Sequence, residues 1–374
     1  MHADTVNDPF TQRLLEVLDS ATHVCGDFEA GAKFRLADRL GIGRFVRFRT
    51  RERASDGEPD SERILVSVQQ SLVREAAEEL SAALTGQGIR HFFVKGMALA
   101  DRIYGTGERE MSDVDVHVDP SARKAVDATL EALGYFIAPE REQSGPAALR
   151  SGLFAGRYTG SSQLEHIGVD VAWGLDPVDR LLPRPDRAVP QQVWDKLDLT
   201  GTLPVPRDSH HVALLVHHLV HHDMLHFRGL VDLALLWPRL PEESSREIEV
   251  LANQLGVLRA TRLMATVLQS DFGLTLVAPE PAPDDWRGRR ARRMLDPVVW
   301  CTWAFHATDA EFVEINVRRM RRRLLLLDDI RATPALFADA VLPPRVYLKW
   351  RWPEARSIAE ARLLHLARVA GKLL

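Results

Sequence analysis

Only two cysteines, Cys25 and Cys301, occur in 374 residues, and they form no motif with each other. That excludes a disulfide-stapled scaffold and a cysteine-rich zinc site. Long apolar runs are also missing. Stretches such as Leu324 to Leu327 fall far short of the ~20 residues that cross a bilayer, so no membrane insertion is expected. Residues 1–10 carry acids and no apolar segment, which predicts no secretory signal there and a reducing cytoplasm as the location. Charge of one sign is scarce as well: 48 Lys+Arg against 52 Asp+Glu leave a net charge of −4. This is not a general nucleic-acid coat protein, although a local basic face stays open. The remainder is an ordinary globular composition, 45% hydrophobic and 27% charged. It supports a sizeable core without metal or disulfide, in one large domain or two to three smaller ones. Nothing in it sets an oligomeric state.

The pattern divides the chain into three regions. Residues 1–88 read as helical: Leu14, Leu15 and Leu18 have helical spacing, Ala32 to Leu40 suits a short helix, and a longer helix runs from about Glu62 to Leu84. The charged stretch 51–61 interrupts them as a linker or long surface loop. Residues 89–185 read as a small α/β unit of about four or five strands and at least two helices. Its strands are His91 to Val94, Val114 to Val118, Tyr135 to Ile137, 153–159 and 165–173, the last two around a turn at Gly160-Ser161-Ser162. Pro183, Pro185 and Pro190 mark the boundary to a larger, mainly helical region at 186–374. Helices are expected there at Ser209 to Trp237 (one long or two abutting), 245–271, 288–305 and 355–372, with a strand running into a helix at Val313 to Leu327.

The most informative words are KGMALADRIYGTGEREMSDVDVHVD, residues 95–119. On a strand, residues two apart point the same way, roughly 6.6 Å apart. Asp113 and Asp115 therefore share one face, and Val114, Val116 and Val118 share the other. Two convergent carboxylates repel each other unless a cation sits between them. A strand with a solvated acidic face gives the same pattern, so the pair alone does not decide. Lys95-Gly96 adds context at a strand-to-helix junction, where glycine lets a ligand approach the backbone and the helix start offers N–H groups to an anion. Asp170, flanked by Val169 and Val171, is a third acid. If its strand lies beside 113–118, three carboxylates meet, and three acids can hold two Mg²⁺ ions, with Mn²⁺ as a substitute.

This combination resembles the nucleotidyltransferases of the DNA-polymerase-beta-like superfamily. It is most similar to a bacterial group of uncharacterised nucleotidyltransferases with a Lys-Gly, an aliphatic helix start, a Tyr, and then Arg-x-x-x-Asp-x-Asp. Here these are Lys95-Gly96, Ala98-Leu99-Ala100, Tyr104 and Arg109 to Asp115. The likeness continues through Val169 to Trp173 and into His217 to Leu236. It implies an α+β fold: a small mixed sheet with helices, embedded between the N-terminal and C-terminal helical regions. It implies that Asp113 and Asp115 hold both metals, and that Asp170 completes the second site and orients or deprotonates the acceptor hydroxyl. Lys95, Gly96 and Arg109 become nucleotide-binding residues, with Arg109 on the phosphates or bracing the loop. The expected partners are an NTP and an unidentified acceptor, a small molecule or protein in preference to RNA. The chain departs from the superfamily in having Met97 where a serine hydroxyl is usual, in a longer gap from Gly96 to Asp113, and in His117 on the acidic face. Those departures favour an alternative, a non-catalytic nucleotide-binding or protein-interaction module that retains the fold.

Seven of the 14 histidines fall between His210 and His226. His217/His221 and His218/His222/His226 form ladders four residues apart on a helix. His117, His217, His218, His221 and His222 are candidates for the acceptor side of the cleft, where a neutral imidazole could relay a proton. A zinc-dependent hydrolase built on this cluster is a further alternative, although a stable zinc site needs a third ligand and no His-Glu-x-x-His motif is present. Arg228 and Asp232 either pair on their helix or anchor it to the catalytic unit. Two arginine clusters, at 287–293 and 318–323, read as RNA-binding runs or as solvated helix faces.

Overall fold

The computed structural model describes residues 8–27, 29, 31–50, 61–111, 113–137, 157–160, 167–175, 178, 188–224, 226–277, 279–306, 317–343 and 345–373. Ser161-Ser162, Pro183, Pro185, most of the 51–61 stretch and residues 313–316 lie outside them. The chain begins with helices α1 (Pro9–Val24), α2 (Ala32–Arg39), α3 (Gly43–Thr50) and α4 (Ser61–Gly86). The α/β unit follows: β1 (His91–Phe93), α5 (Lys95–Ile103), β2 (Asp113–Val118), α6 (Arg123–Ala132), β3 (Tyr135–Ile137), β4 (Arg157–Gly160) and β5 (Gly168–Ala172). Then come α7 (Gln191–Asp195), β6 (Leu197–Asp198), β7 (Val205–Pro206), α8 (Asp208–His221), α9 (Phe227–Leu236), α10 (Ser244–Leu255) and α11 (Leu258–Ser270). The last elements are α12 (Trp286–Met294), α13 (Pro297–His306), α14 (Val317–Leu326), α15 (Thr333–Val341), α16 (Arg345–Arg351) and α17 (Ile358–Leu373).

Two helices expected as single pieces are split by local chemistry. The 245–271 helix breaks at Gly256, whose left-handed backbone caps α10. The 288–305 helix ends at Met294, and Pro297 starts a new one. The 209–237 segment is two helices, α8 and α9, separated by a turn in which Asp223 and Met224 both have positive φ.

The fold is α+β. Five strands form one mixed sheet in the order β1-β2-β5-β4-β3. Only the β2–β5 pair is parallel; β1–β2, β5–β4 and β4–β3 are antiparallel. One face of the sheet is apolar. Phe93, Val114, Val116, Val118, Val169 and Val171 bury there against Val73, Ala77 and Leu80 of α4 and Val126 and Leu130 of α6. Burying a valine stabilises by roughly 1.5–3 kcal/mol, so the alternation in β2 and β5 fixes which face turns away from water. A separate core joins α1 to α3 with the later helices: Phe10, Leu14, Leu18 and Phe45 pack with Leu215, Trp237, Leu263 and Trp300. Phe92, Val94, Leu99 and Ile103 from the α/β unit enter this second core. The sheet's polar face and α5 therefore lie toward the helical body. No helix among the described residues is long and apolar enough to cross a membrane.

Candidate active site

The register of β2 against β5 brings the acids together. Asp115 is the direct partner of Asp170, and Asp113 is the partner of Gly168. Register partners and residues two apart on a strand project from the same side of the pleat. Asp113, Asp115 and Asp170 therefore share one face, opposite the buried valines, and each is half-buried. On the other side of β5, Arg157 of β4 is the register partner of Asp170, a position that the residue pattern did not single out.

Lys95 sits at the end of β1 and bends the chain into α5. Its φ is +54°, a left-handed backbone that costs a non-glycine residue roughly 1–2 kcal/mol. Three contacts hold it. The Val94 N–H donates to the Asp115 carbonyl at 3.1 Å, and Lys95 Nζ donates to Asp115 Oδ1 at 2.8 Å. The Lys95 N–H donates to Nε2 of His211, on α8, at 3.3 Å. His211 is fully buried. Burial, helped by the nearby Arg102 charge, pushes its pKa down to about 3. The ring is therefore neutral, with Nε2 as acceptor and the proton on Nδ1. None of the sequence signals distinguished His211 from its six neighbours.

Gly96 follows. A Cβ at this position would meet Arg109 Nη1 and Met111 Sδ at 3.6 Å, ordinary van der Waals contact. Its φ lies outside the range that favours glycine. The fold itself thus does not require glycine here. The first-turn N–H groups of α5 have no intrahelical acceptor, as at any helix start.

Arg109 lies beneath this turn. Its Nε and Nη2 donate to Oδ1 and Oδ2 of Asp232 at 3.0 and 2.9 Å. Both side chains are buried, at 6% and 4% exposure. Tyr104 Oη donates to Asp232 Oδ1 at 2.6 Å. Burial works to neutralise both members of the pair. The opposite charges outweigh it, lowering the Asp232 pKa and raising that of Arg109. Burial, then Asp232, keeps the Tyr104 phenol protonated. Asp232 therefore pairs with Arg109 rather than Arg228, and α9 is anchored to the α/β unit through a buried charge. Arg228 instead donates to the Gly41 carbonyl at 2.8 Å.

The other predicted residues are more dispersed. His117 is buried and stacks on Phe92, its register partner, with ring centroids 4.9 Å apart. His217 is buried on α8. His218, His221 and His222 cluster with His226 at the far end of α8, two to three turns beyond the His211 contact with Lys95. Of the arginine run at 318–323, Arg319, Arg322 and Arg323 are buried. Arg319 and Arg323 both donate to Asp223, and Arg322 lies over the Trp303 ring, 3.3 Å from its centroid. These three are structural, and neither a solvated face nor an RNA-binding run describes them. Exposed Arg321 joins Arg290, Arg293 and Trp303 in lining a cavity of about 510 Å³.

Two donor sets suit metals. The three acids offer hard oxygens, as Mg²⁺ prefers, and Asp115 already attracts a positive group in Lys95 Nζ. Among the described residues, the acids' oxygens do not gather within 4.8 Å of one another, whereas ligand atoms of His218, His222 and His226 do.

A family model described as an uncharacterised nucleotidyltransferase matches residues 58–273, more than half of the chain, so the chain belongs to that family. The matched span runs from α4 through α11 and contains the acids, Lys95-Gly96, Arg109 and the histidines. No curated protein matches the chain.

Proposed function

We propose that this nucleotidyltransferase-family chain moves a nucleoside monophosphate from an NTP to an acceptor hydroxyl or phosphate and releases pyrophosphate. The catalytic unit is a polymerase-beta-like domain at about 89–185. The observation that carries this reading is the Asp115–Asp170 register with Asp113 on the same face. Three hard donors on one sheet face suit two Mg²⁺ ions, or Mn²⁺, held by Asp113, Asp115 and Asp170. When bound, such ions supply charge stabilisation for the triphosphate and for in-line displacement.

The chain's own residues do the rest. The start of α5 presents N–H groups to the phosphates, and Gly96 lets them come close to the backbone. Lys95, whose ammonium reaches Asp115 at 2.8 Å, would offer its charge to the triphosphate. Arg109, fixed by Asp232 and lying against Gly96, braces the cradle from below. Asp170 orients the acceptor and takes its hydroxyl proton. The acceptor oxygen then bonds to the α-phosphorus, the bond from that phosphorus to the bridging oxygen breaks, and pyrophosphate leaves. The acceptor is a small molecule or a protein in preference to RNA, consistent with the burial of Arg319, Arg322 and Arg323.

A second reading, a non-catalytic module, is favoured by Met97 in place of a hydroxyl and by the Lys95–Asp115 ion pair. Incubation with Mg²⁺, each α-labelled NTP and cell extract separates the two. The catalytic reading expects pyrophosphate together with label on one acceptor, both lost in Asp113→Asn. Metal-dependent triphosphate binding without pyrophosphate supports the module.

A further inference from the structure

Among the described residues, ligand atoms of three histidines gather within 4.8 Å of one another where α8 ends and α9 begins. His218 is on α8, His222 follows its last residue, and His226 caps the start of α9. One ligand nitrogen of each lies within 4.8 Å of the other two. His222 and His226 are stacked, with centroids 4.1 Å apart, and His218 meets His222 edge-on at 4.4 Å. In a tetrahedral site with metal–nitrogen bonds of about 2.0–2.1 Å, ligand nitrogens stand about 3.3 Å apart. The three rings need to close by no more than about 1.5 Å, within the reach of χ rotations.

The turn that carries them is held in a costly shape. Asp223 and Met224 have φ of +54° and +61°, two successive non-glycine residues in a region disfavoured by roughly 1–2 kcal/mol each. Arg319 and Arg323 grip the Asp223 carboxylate, and the Trp300 indole N–H donates to the Met224 carbonyl. Strain over-determined by its surroundings is a mark of functional positions. Here its effect is to fold His226 back over His222. His222 is buried and His218 and His226 are less so, so the cluster is closed on one side and open to solvent on the other.

We propose that His218, His222 and His226 form a binding site for a first-row divalent transition ion of borderline softness, Zn²⁺ being the type. Three neutral imidazoles suit such an ion, and hard Mg²⁺ does not favour them. The solvent side leaves a fourth position for water or a small anion. Asp223 is not a ligand, since both its oxygens are taken by arginines. His211 and His218 stand seven positions apart on one face of α8, and His222, just past its end, is eleven positions from His211. The ion therefore sits about 10–16 Å along the helix from the Lys95 contact. It ties the end of α8 to the start of α9, the helix that supplies Asp232 to Arg109.

The test uses the full chain without a histidine tag, stripped with chelator and titrated with Zn²⁺ and with Co²⁺. The expected result is one tightly bound Zn²⁺ per chain and the visible absorption of tetrahedral Co²⁺. Affinity should fall at least 100-fold in His226→Ala and likewise in His218→Ala, with the circular dichroism of each unchanged. Asp113→Asn should bind Zn²⁺ like the wild type, which separates this site from the acidic one. Absence of stoichiometric Zn²⁺ in the wild type, or unchanged affinity in both histidine variants, overturns the proposal.

Discussion

Asp115 and Asp170 face each other as register partners on the parallel pair of strands β2 and β5. Pairing in this register sets two carboxylates side by side on the polar face, with Asp113 two residues away on the same side. Like charges gathered on one face repel each other unless a cation stands among them. The Lys95 ammonium stands on Asp115 at 2.8 Å.

On the proposed mechanism, Lys95 and a divalent ion compete for Asp115. In Lys95→Met, Mg²⁺ or Mn²⁺ alone should bind more tightly than in the wild type, by roughly fivefold, the worth of about 1 kcal/mol for a partly exposed ion pair. Triphosphate affinity should fall in the same variant. Calorimetric titrations of the ion and of a non-hydrolysable NTP analogue read both; unchanged values would remove Lys95 from the site.

Gly96→Ala separates binding from folding. The added methyl finds only ordinary contacts, and replacing glycine near a helix start reduces unfolded-chain entropy, so stability should rise by about 0.4–1 kcal/mol or stay level. NTP affinity should drop because the methyl, standing against Arg109 Nη1 and Met111 Sδ, reaches the guanidinium that braces the cradle. A variant that loses stability and keeps affinity would assign the glycine to packing instead.

Asp232→Asn tests the clamp beneath the cradle. It leaves Arg109 buried at 6% exposure without its counter-charge, a change that costs roughly 3–5 kcal/mol. Urea denaturation of the variant should show a loss of that size. A loss below about 1 kcal/mol would mean that Arg109 escapes to solvent and that α9 is anchored elsewhere.

His211 gives stability a pH dependence of defined sign. Its ordinary pKa is 6.5 and the folded value is about 3. Between these limits the unfolded chain binds a proton that the folded chain refuses. The contribution is complete above pH 6.5 and is lost as pH falls toward 3, with a slope of up to ~1.4 kcal/mol per unit. In His211→Gln, which keeps an acceptor for the Lys95 N–H, the stability lost between pH 7 and pH 5 should be smaller by about 2 kcal/mol. Equal losses in the two proteins, measured by urea denaturation, would show that His211 protonates in the folded state.

Much of the acidic face was legible because local burial writes it into the sequence. The valines of 114, 116 and 118 must turn inward together, and that forces Asp113 and Asp115 outward together. The same holds for Asp170 between Val169 and Val171. The register that sets Asp170 against Asp115 is a property of two strands and leaves no local trace. Nor does the Arg109–Asp232 pair, whose members stand 123 residues apart. Arg319 and Arg323 mislead for a related reason. Their charges match a solvated helix face until Asp223, 96 and 100 residues away, enters between them. His211 stayed hidden among seven similar residues because burial against Lys95, not spacing, distinguishes it. The breaks at Gly256 and Pro297 follow from residue types alone, although apolar periodicity runs through both.

The most direct test of the acidic site counts divalent ions by Mn²⁺ titration in the presence of a non-hydrolysable NTP analogue, comparing wild type with Asp170→Asn. The account predicts that the substitution removes one ion per chain or weakens it at least 100-fold, with the circular dichroism of the fold unchanged. The same ion count and affinity in Asp170→Asn would contradict it.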